Sequence, residues 1–246
     1  MRYLFLLILF ISLNSYAQDA LKVTYGKQFS YTLKDLPSES SGIKEAMRKA
    51  MQEINYHELI LLNNEANYFP IQKIRNDQPV EKGTIMVSFG DSSQKIYLNY
   101  DDQIKLRYNT MYGQENIIKS QLPMKEWEIT RETKEILGMT VRKATFESDE
   151  KEEIAWYAST LAYKSGPEDI WGLPGLILEY KSTTKTDEKT IIHIFATHIE
   201  SLPNEKVKFF IPDESKSVSE EEYHEMVEMH NKKFRELYNK GVYTSD

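Results

Sequence analysis

Residues 166–200, GPEDIWGLPGLILEYKSTTKTDEKTIIHIFATHIE, carry the signals that decide the fold of this chain. Prolines and glycines crowd the first ten of these residues, and this composition marks a sharp turn. Two apolar runs follow, LILEYK at 176–181 and KTIIHIFATHIE at 189–200, and the segment between them is polar. Two such runs joined by a short polar loop predict a β-hairpin and therefore an antiparallel sheet.

The turn before this hairpin has residues that constrain its backbone. Pro174 has a fixed φ and no amide hydrogen, so no central strand passes through it. Gly175 follows it and can adopt a positive φ, which predicts a type II turn with Pro174 at the second position. We expect residues 176–178 to begin a strand that is buried on both faces.

Two roles for this turn follow from its residues. The backbone amides near Gly172 and Gly175 can approach a ligand closely because glycine has no side chain, or the turn only redirects the chain. We favour the structural role and keep a binding rim as the alternative, because Glu168 and Asp169 are the only titratable groups and no nucleophile is present. The hypothesis assigns the motif to Trp156, Tyr157, Gly166, Pro167, Trp171, Gly172, Leu173, Pro174, Gly175, Leu176 and Ile177.

The rest of the chain repeats short strand-like runs separated by Gly, Asn, Asp, Ser and Lys. Residues 21–33 alternate between apolar and polar positions, 56–70 predict one strand closed by a turn, and 71–84 are polar and predict a loop. Many short strands at regular spacing predict an antiparallel sheet rather than a βαβ array. Further strands are expected at residues 83–89, 94–100, 104–112, 126–130, 139–147 and 153–160.

Two helices are predicted beside these strands. Residues 40–55 place apolar side chains at spacings of three and four, as in an amphipathic helix. A second helix, from about 219 to 240, begins with a capping box formed by Ser219 and Glu222. Because the apolar faces of these helices must be buried, we predict a mainly β, α+β fold. It is a curved antiparallel sheet, or a half-open barrel, covered by two helices.

The N-terminus has the three parts of a secretory signal peptide. Arg2 is followed by an apolar run from Tyr3 to Leu13 and then by the small residues Ser15 and Ala17. We therefore predict a signal peptide at residues 1–17, with cleavage after Ala17. The mature protein is expected to be exported to the periplasm or the extracellular space, and to be soluble there. Residues beyond the cleavage site, 18–246, contain no linker and predict a single domain.

Composition excludes several classes of function. The chain has no cysteine, so it has neither a disulfide framework nor a thiolate metal site. Its net charge of −7 argues against nucleic acid as a partner. No later stretch is apolar enough to span a membrane. The five histidines lack the spacing of a metal site, with His193 and His198 expected on opposite faces of a strand. We predict no catalytic, cofactor-binding or metal-binding residue.

The sequence also resembles a known family. WGLPGLILEY at 171–180 resembles the signature of the GLPGLI family, whose members are exported proteins abundant in Bacteroidetes. Residues 126–147 and 154–178 are similar to two further blocks of that family, so that the resemblance covers about residues 123–200. It implies a secreted or periplasmic protein of unknown biochemical function, with no catalytic residue to transfer.

Three functions remain open at this point. The first is a non-catalytic cell-envelope protein that binds a lipophilic ligand, a peptide or an envelope partner, since a curved sheet can enclose an apolar cavity. The second is a protein–protein interaction module of an outer-membrane complex, which predicts an exposed apolar patch. The third, which we favour least, is a hydrolase with an unfamiliar carboxylate site.

Overall fold

The computed structural model describes residues 19–31, 41–72, 93–187 and 189–239. The predicted signal peptide, most of the predicted loop at 71–84 and the predicted strand at 83–89 lie outside these ranges. The predicted end of the second helix at residue 240 lies outside them too.

The described residues form one sheet of twelve strands with two helices. The helices are α1, Ser41–Gln52, and α2, Glu220–Asn239. The strands are β1 Ala20–Tyr31, β2 Asn55–Leu62, β3 Glu65–Pro70, β4 Lys95–Asn99, β5 Ile104–Met111, β6 Gln114–Gln121, β7 Glu128–Ile136, β8 Met139–Glu147, β9 Lys151–Ala158, β10 Leu176–Thr184, β11 Thr190–Leu202 and β12 Val218–Ser219.

The strand order across the sheet is β12-β6-β5-β4-β3-β2-β1-β11-β10-β9-β8-β7. Neighbouring strands are antiparallel except for β12, which pairs with β6 in parallel over two residues. The sheet ends in two separate edge strands and is therefore open. These features confirm the predicted mainly β class with two helices.

The short connection between β6 and β7 shows that the sheet is strongly curved. These strands are ten positions apart in the sheet, which would separate them by roughly 48 Å if the sheet were flat. The connector between them, residues 122–127, can span at most roughly 25 Å. The sheet must therefore bend so that its two ends approach each other, as in a half-open barrel.

One face of the sheet, which we call the inner face, carries most of the core. The strand register places these buried residues on it: Val23, Tyr25, Leu59, Leu61, Ala66, Tyr68, Ile96, Leu98, Ala155, Tyr180 and Ile194. The connector joins the two ends of the curved sheet by a short path, so it must lie on the concave side. Lys125 of the connector forms an ion pair with Glu153, which lies on the inner face. The inner face is therefore the concave one, and the opposite face is called the outer face.

The strand predictions differ from the structure at two places. Residues 56–70 form a hairpin of β2 and β3, because Asn63 adopts a positive φ of 54° and turns the chain. Strand β6 was not predicted, since Gln114–Gln121 is mostly polar and lacks a clean alternation. Its inward residue Ile118 is nevertheless fully buried. The predicted burial of residues 176–178 on both faces is observed.

The two helices pack differently from each other. Helix α1 lies against β1, where Gln28 donates to the Met51 carbonyl and the Tyr31 hydroxyl contacts the Met47 sulfur. The capping box of α2 is present: the Ser219 amide donates to the Glu222 carboxylate and the Glu222 amide donates to the Ser219 hydroxyl. Helix α2 packs through the buried Tyr223 in its first turn and through His230, which stacks on Tyr112 of the β5–β6 turn.

Candidate functional site

The predicted motif lies mainly in the loop that joins β9 to β10, residues 159–175, which we call the motif loop. The loop folds back on itself through backbone hydrogen bonds. The Gly172 amide donates to the Lys164 carbonyl over 3.0 Å, and the Ile177 amide donates to the Ser165 carbonyl over 2.9 Å. The Tyr25 hydroxyl of β1 donates to the Ile177 carbonyl over 2.6 Å. The loop therefore lies across the inner face of the sheet.

Two adjacent carboxylates attach the tip of the motif loop to distant strands. Glu168 forms an ion pair with Lys27 of β1, and Asp169 forms one with Lys105 of β5 at 2.9 Å. Glu168 has a φ of 58°, a left-handed conformation that is uncommon for a non-glycine residue. Both titratable groups of the turn are thus neutralised by lysines of the sheet.

Trp171 joins the motif loop to the connector between β6 and β7. Its side chain is 9% exposed, and its indole N–H donates to the Pro123 carbonyl over 2.8 Å. In return the Trp127 indole donates to the Trp171 carbonyl over 3.0 Å. The two tryptophans therefore hold the connector against the concave side of the arc.

The prediction that Gly175 is needed for a positive φ is wrong, and other constraints apply to the glycines of the motif. Gly175 does not adopt a positive φ, so the predicted type II turn is wrong. Its amide instead donates to the Leu173 carbonyl over 2.8 Å, which makes a tighter turn centred on Pro174. The positive φ, 95°, belongs to Gly172. Both amides that the binding-rim alternative needs are therefore used inside the protein.

The structure brings most of the predicted motif residues together on the inner side, but not all of them. Gly166, Pro167, Leu173, Gly175, Leu176, Ile177 and Tyr157 are buried, while Gly172 and Pro174 are exposed. Trp156 is separate from this group. It lies on the outer face, half-buried, with the Lys134 ammonium 4.4 Å from its ring.

A buried carboxylate lies next to the connector. Glu153 of β9 is fully buried and is paired with Lys125 of the connector and with Lys151 at 2.6 Å. Burial opposes ionisation of this group, but hydrogen bonds from the two lysines hold the pKa of Glu153 below its ordinary value. The Lys125 ammonium also lies 5.5 Å from the Trp127 ring and 5.8 Å from the Tyr180 ring. This cluster satisfies its own charges.

A second polar cluster lies between β1, β2 and β3 under the motif loop. His57 stacks on Tyr68 with ring centroids 5.0 Å apart. Burial, together with the positive charge of Lys27, lowers the pKa of His57 from 6.5 to about 4. The buried Tyr68 hydroxyl has no hydrogen-bond partner among the described residues. His57 is therefore a neutral, partly buried side chain at neutral pH.

The outer face carries an open groove of about 560 Å³ over β2 to β5. Its apolar lining comes from Phe69, Pro70, Ile71 and the ring of Tyr108, and Glu58, Gln72, Ser93 and Lys95 complete it. Among the residues the structure describes, Lys95 makes no ion pair; its ammonium lies 5.7 Å from the Tyr108 ring. No local sequence pattern predicts this groove, because its lining comes from four strands and their flanking residues.

A segment of the chain itself lies beside this groove. Residues 203–217, which we call the strap, run from β11 across the outer face to β12. Asn67 of β3, which is 3% exposed, donates to the Phe210 carbonyl over 2.9 Å and accepts from the Phe210 amide over 2.6 Å. The Phe210 ring meets Tyr108 edge to face, with centroids 5.4 Å apart.

The histidines do not converge on a metal site in the described part of the chain, where no group of three His, Asp or Glu side chains is placed to hold a metal ion. The predicted opposite orientation of His193 and His198 is wrong. A β-bulge in β11 pairs them with Gln28 and Thr24, which share one face of β1. Within the described ranges, no helix is both long and apolar enough to cross a membrane.

Comparison with protein families gives one partial match. Residues 146–179 match the model of a family described as "Protein of unknown function (Porph_ging)". These residues include β9, the motif loop and the start of β10. No curated protein matches the chain.

Solved structures with a similar fold include PNGF-II in the C2 and P21 space groups. Each has a TM-score of 0.50 and 17% identity and covers 85% of this chain. The chain spans about a third of the PNGF-II chains, 32% and 33%. At this identity the similarity shows the fold alone. A LolA superfamily protein from Nitrosomonas europaea aligns over 82% of this chain and 92% of its own, at 8% identity and a TM-score of 0.26.

Proposed function

We propose that this chain is an exported, non-catalytic protein of the cell envelope, of the GLPGLI type, that binds a segment of a partner protein. The observation that carries the proposal is the groove on the outer face, which combines apolar rings with the charge of Lys95, an ammonium that has no ion pair among the described residues. Grooves with an apolar floor and a few polar groups are the usual form of a binding site. The site is open at the surface, which suits a peptide segment better than an enclosed lipid.

The inner face supports a structural role for the motif loop. A lipophilic ligand in the concavity would compete with Trp171, Leu173 and the other buried residues of the loop. The carboxylates Glu168, Asp169 and Glu153 are all paired with lysines. These pairs leave the carboxylates committed to the fold, which favours binding over acid–base chemistry.

Site-specific photo-crosslinking tests the proposed function. A benzophenone amino acid at Tyr108 in the groove should form a covalent adduct at one defined peptide of an envelope protein, mapped by mass spectrometry. Tyr112 is the control position, because it is 52% exposed and lies on the β5–β6 turn. Adducts at Tyr108 that are no more abundant or defined than those at Tyr112 would exclude the groove as a binding site.

Processing of the N-terminus tests the proposed export. The full chain expressed in its natural host should be recovered outside the cytoplasm, with Gln18 as its first residue. An Ala17→Phe variant should remain unprocessed, since signal peptidases need a small residue there, and Ala20→Ser is the matched control. Recovery of the chain from the cytoplasm with Met1 intact contradicts export.

A further inference from the structure

The strap shows how the outer face holds an extended peptide. Residues around Phe210 have no regular secondary structure, yet both backbone groups of Phe210 are bonded by the side-chain amide of Asn67. The amide of asparagine offers one donor and one acceptor, so it can replace a neighbouring strand for a single residue. This part of the outer face therefore binds both the backbone and the aromatic ring of a single residue, Phe210.

The aromatic ring of Phe210 is bound by two residues that also line the groove. The Lys95 ammonium lies 4.5 Å from the Phe210 centroid, and Tyr108 meets the same ring edge to face. Lys95 and Tyr108 also form one wall of the groove. The site that binds Phe210 therefore adjoins the groove, and the side chains of Lys95 and Tyr108 form the boundary between the two.

Because the Phe210 site adjoins the groove, we infer that the groove binds an aromatic side chain of an extended partner peptide. This inference rests on the proposed function. The ring would lie among Phe69, Pro70 and Ile71, on the other side of the Lys95–Tyr108 pair from Phe210. Aromatic rings and cations attract each other when the cation lies within about 6 Å of the ring. The Lys95 ammonium would therefore contact both the Phe210 ring and the aromatic ring of the peptide.

The charge of Lys95 adds a second element of specificity. It forms no ion pair with the described residues, whereas Glu58 on the opposite side of the groove faces Lys22 at 3.6 Å. A carboxylate next to the aromatic residue of the peptide would pair with Lys95. The partner segment is therefore an aromatic residue adjacent to Asp or Glu, in an extended conformation.

Peptide titration tests this inference on the full mature chain. The probe is a short glycine–serine peptide with Phe-Asp at its centre, and the matched probe has Ala-Asp instead. Added to ¹⁵N-labelled protein up to roughly millimolar concentration, the Phe-Asp peptide should shift the amide resonances of Ile71, Lys95 and Tyr108. The Ala-Asp peptide should bind at least tenfold more weakly.

Variants separate recognition from folding. Lys95→Glu should weaken binding of the Phe-Asp peptide at least tenfold and Lys95→Arg should retain it, with Lys189→Glu as an exposed control. Ile71→Ser should weaken binding as well; Ile71 is 37% exposed and lines the groove, so this variant keeps the fold. Unchanged amide resonances of β9 and β10, which contribute no residue to the groove, confirm that each variant is folded.

Two results would overturn the inference: equal binding of the two peptides, or shifts confined to residues outside the groove. If Tyr108 crosslinks to a defined partner peptide that lacks an aromatic residue, the groove is a binding site but its specificity is different. If neither crosslinking nor peptide binding involves the groove, the proposed function fails together with the inference.

Discussion

At the scale of single residues, the motif glycines are constrained by two different physical effects. A Cβ atom on Gly175 would lie 2.7 Å from the Ala158 carbonyl carbon and closer still to its oxygen. Around Gly172 no atom lies within 4 Å of such a Cβ, but its φ of 95° disfavours any side chain. The first constraint is steric and the second is conformational.

These constraints predict unequal costs for the same substitution. Gly175→Ala should lower the free energy of unfolding by about 3 kcal/mol, because the backbone of β9 must move to admit the methyl group. Gly172→Ala should cost about 1–2 kcal/mol, the price of a left-handed conformation. Urea denaturation measures both. Equal losses would mean that the close approach of β9 is not the constraint at Gly175.

His57 gives stability a pH dependence of known sign. Its pKa in the folded protein is about 4 and its ordinary value is 6.5, so between these pH values the unfolded chain binds a proton that the folded protein does not. Stability is therefore lost as pH falls from 6.5 to 4, by at most about 3 kcal/mol. His57→Phe should flatten this part of the profile measured by urea denaturation.

His224 provides the control for this titration. It is exposed on α2, so His224→Phe should leave the slope between pH 6.5 and 4 unchanged. An unchanged slope in His57→Phe would show that His57 is not the group responsible. Glu153 acts at lower pH: its depressed pKa contributes stability that is lost as pH falls below about 4.5.

At the scale of elements, sequence periodicity predicted most strands but not their partners. The apolar alternation of β1 and the capping box of α2 are local signals, and both were read correctly. The hairpin of β2 and β3 was read as one strand, because its turn is Asn63-Asn64 and contains neither glycine nor proline. The strap has no periodic pattern, and its position depends on Asn67, far away in sequence.

The strap should be released when its side-chain partner is removed. Asn67→Ala leaves both backbone groups of Phe210 without their partner, which should cost about 2 kcal/mol of stability. The Phe210 amide should then exchange with deuterium at least tenfold faster, while amides of β1 keep their protection. Asn64→Ala is the control, since the Asn64 side chain donates to the exposed Asp101 and its backbone bond to Tyr100 survives the substitution. Slow exchange at Phe210 in Asn67→Ala would show that the rings, not the amide, hold the strap.

At the scale of the whole molecule, the motif loop joins distant parts of the curved sheet. It contacts β1 through Lys27, β5 through Lys105 and the connector through Pro123. The sequence predicted that residues 166–175 form a turn and that the sheet is curved. It could not place the turn inside the curve, because the long-range partners of the loop lie between 44 and 144 residues away.

Because the motif loop contacts distant parts of the curved sheet, a substitution that weakens its packing should destabilise the whole domain rather than one part of it. Trp171→Ala should lower the free energy of unfolding by about 3–5 kcal/mol, with tryptophan fluorescence and circular dichroism still changing together. Trp171→Phe keeps most of the packing and loses the bond to Pro123, at a cost of about 1 kcal/mol.

The matched control is another tryptophan of the motif. Trp156 is half-buried on the outer face, so Trp156→Ala should cost only about 1–2 kcal/mol. Two separated unfolding transitions in Trp171→Ala would show that the halves of the sheet are independent of the loop.

The central position of β1 sets the order in which the chain can fold. β1 is the first strand of the described chain, but one of its two neighbours is β11, so that Ala20 faces Leu202. Contacts between residues so far apart form slowly, because a long loop must close first. During synthesis β1 therefore lacks one of its two neighbouring strands until β11 has been made. In a chain exported as we propose, this late pairing postpones folding until transport has begun.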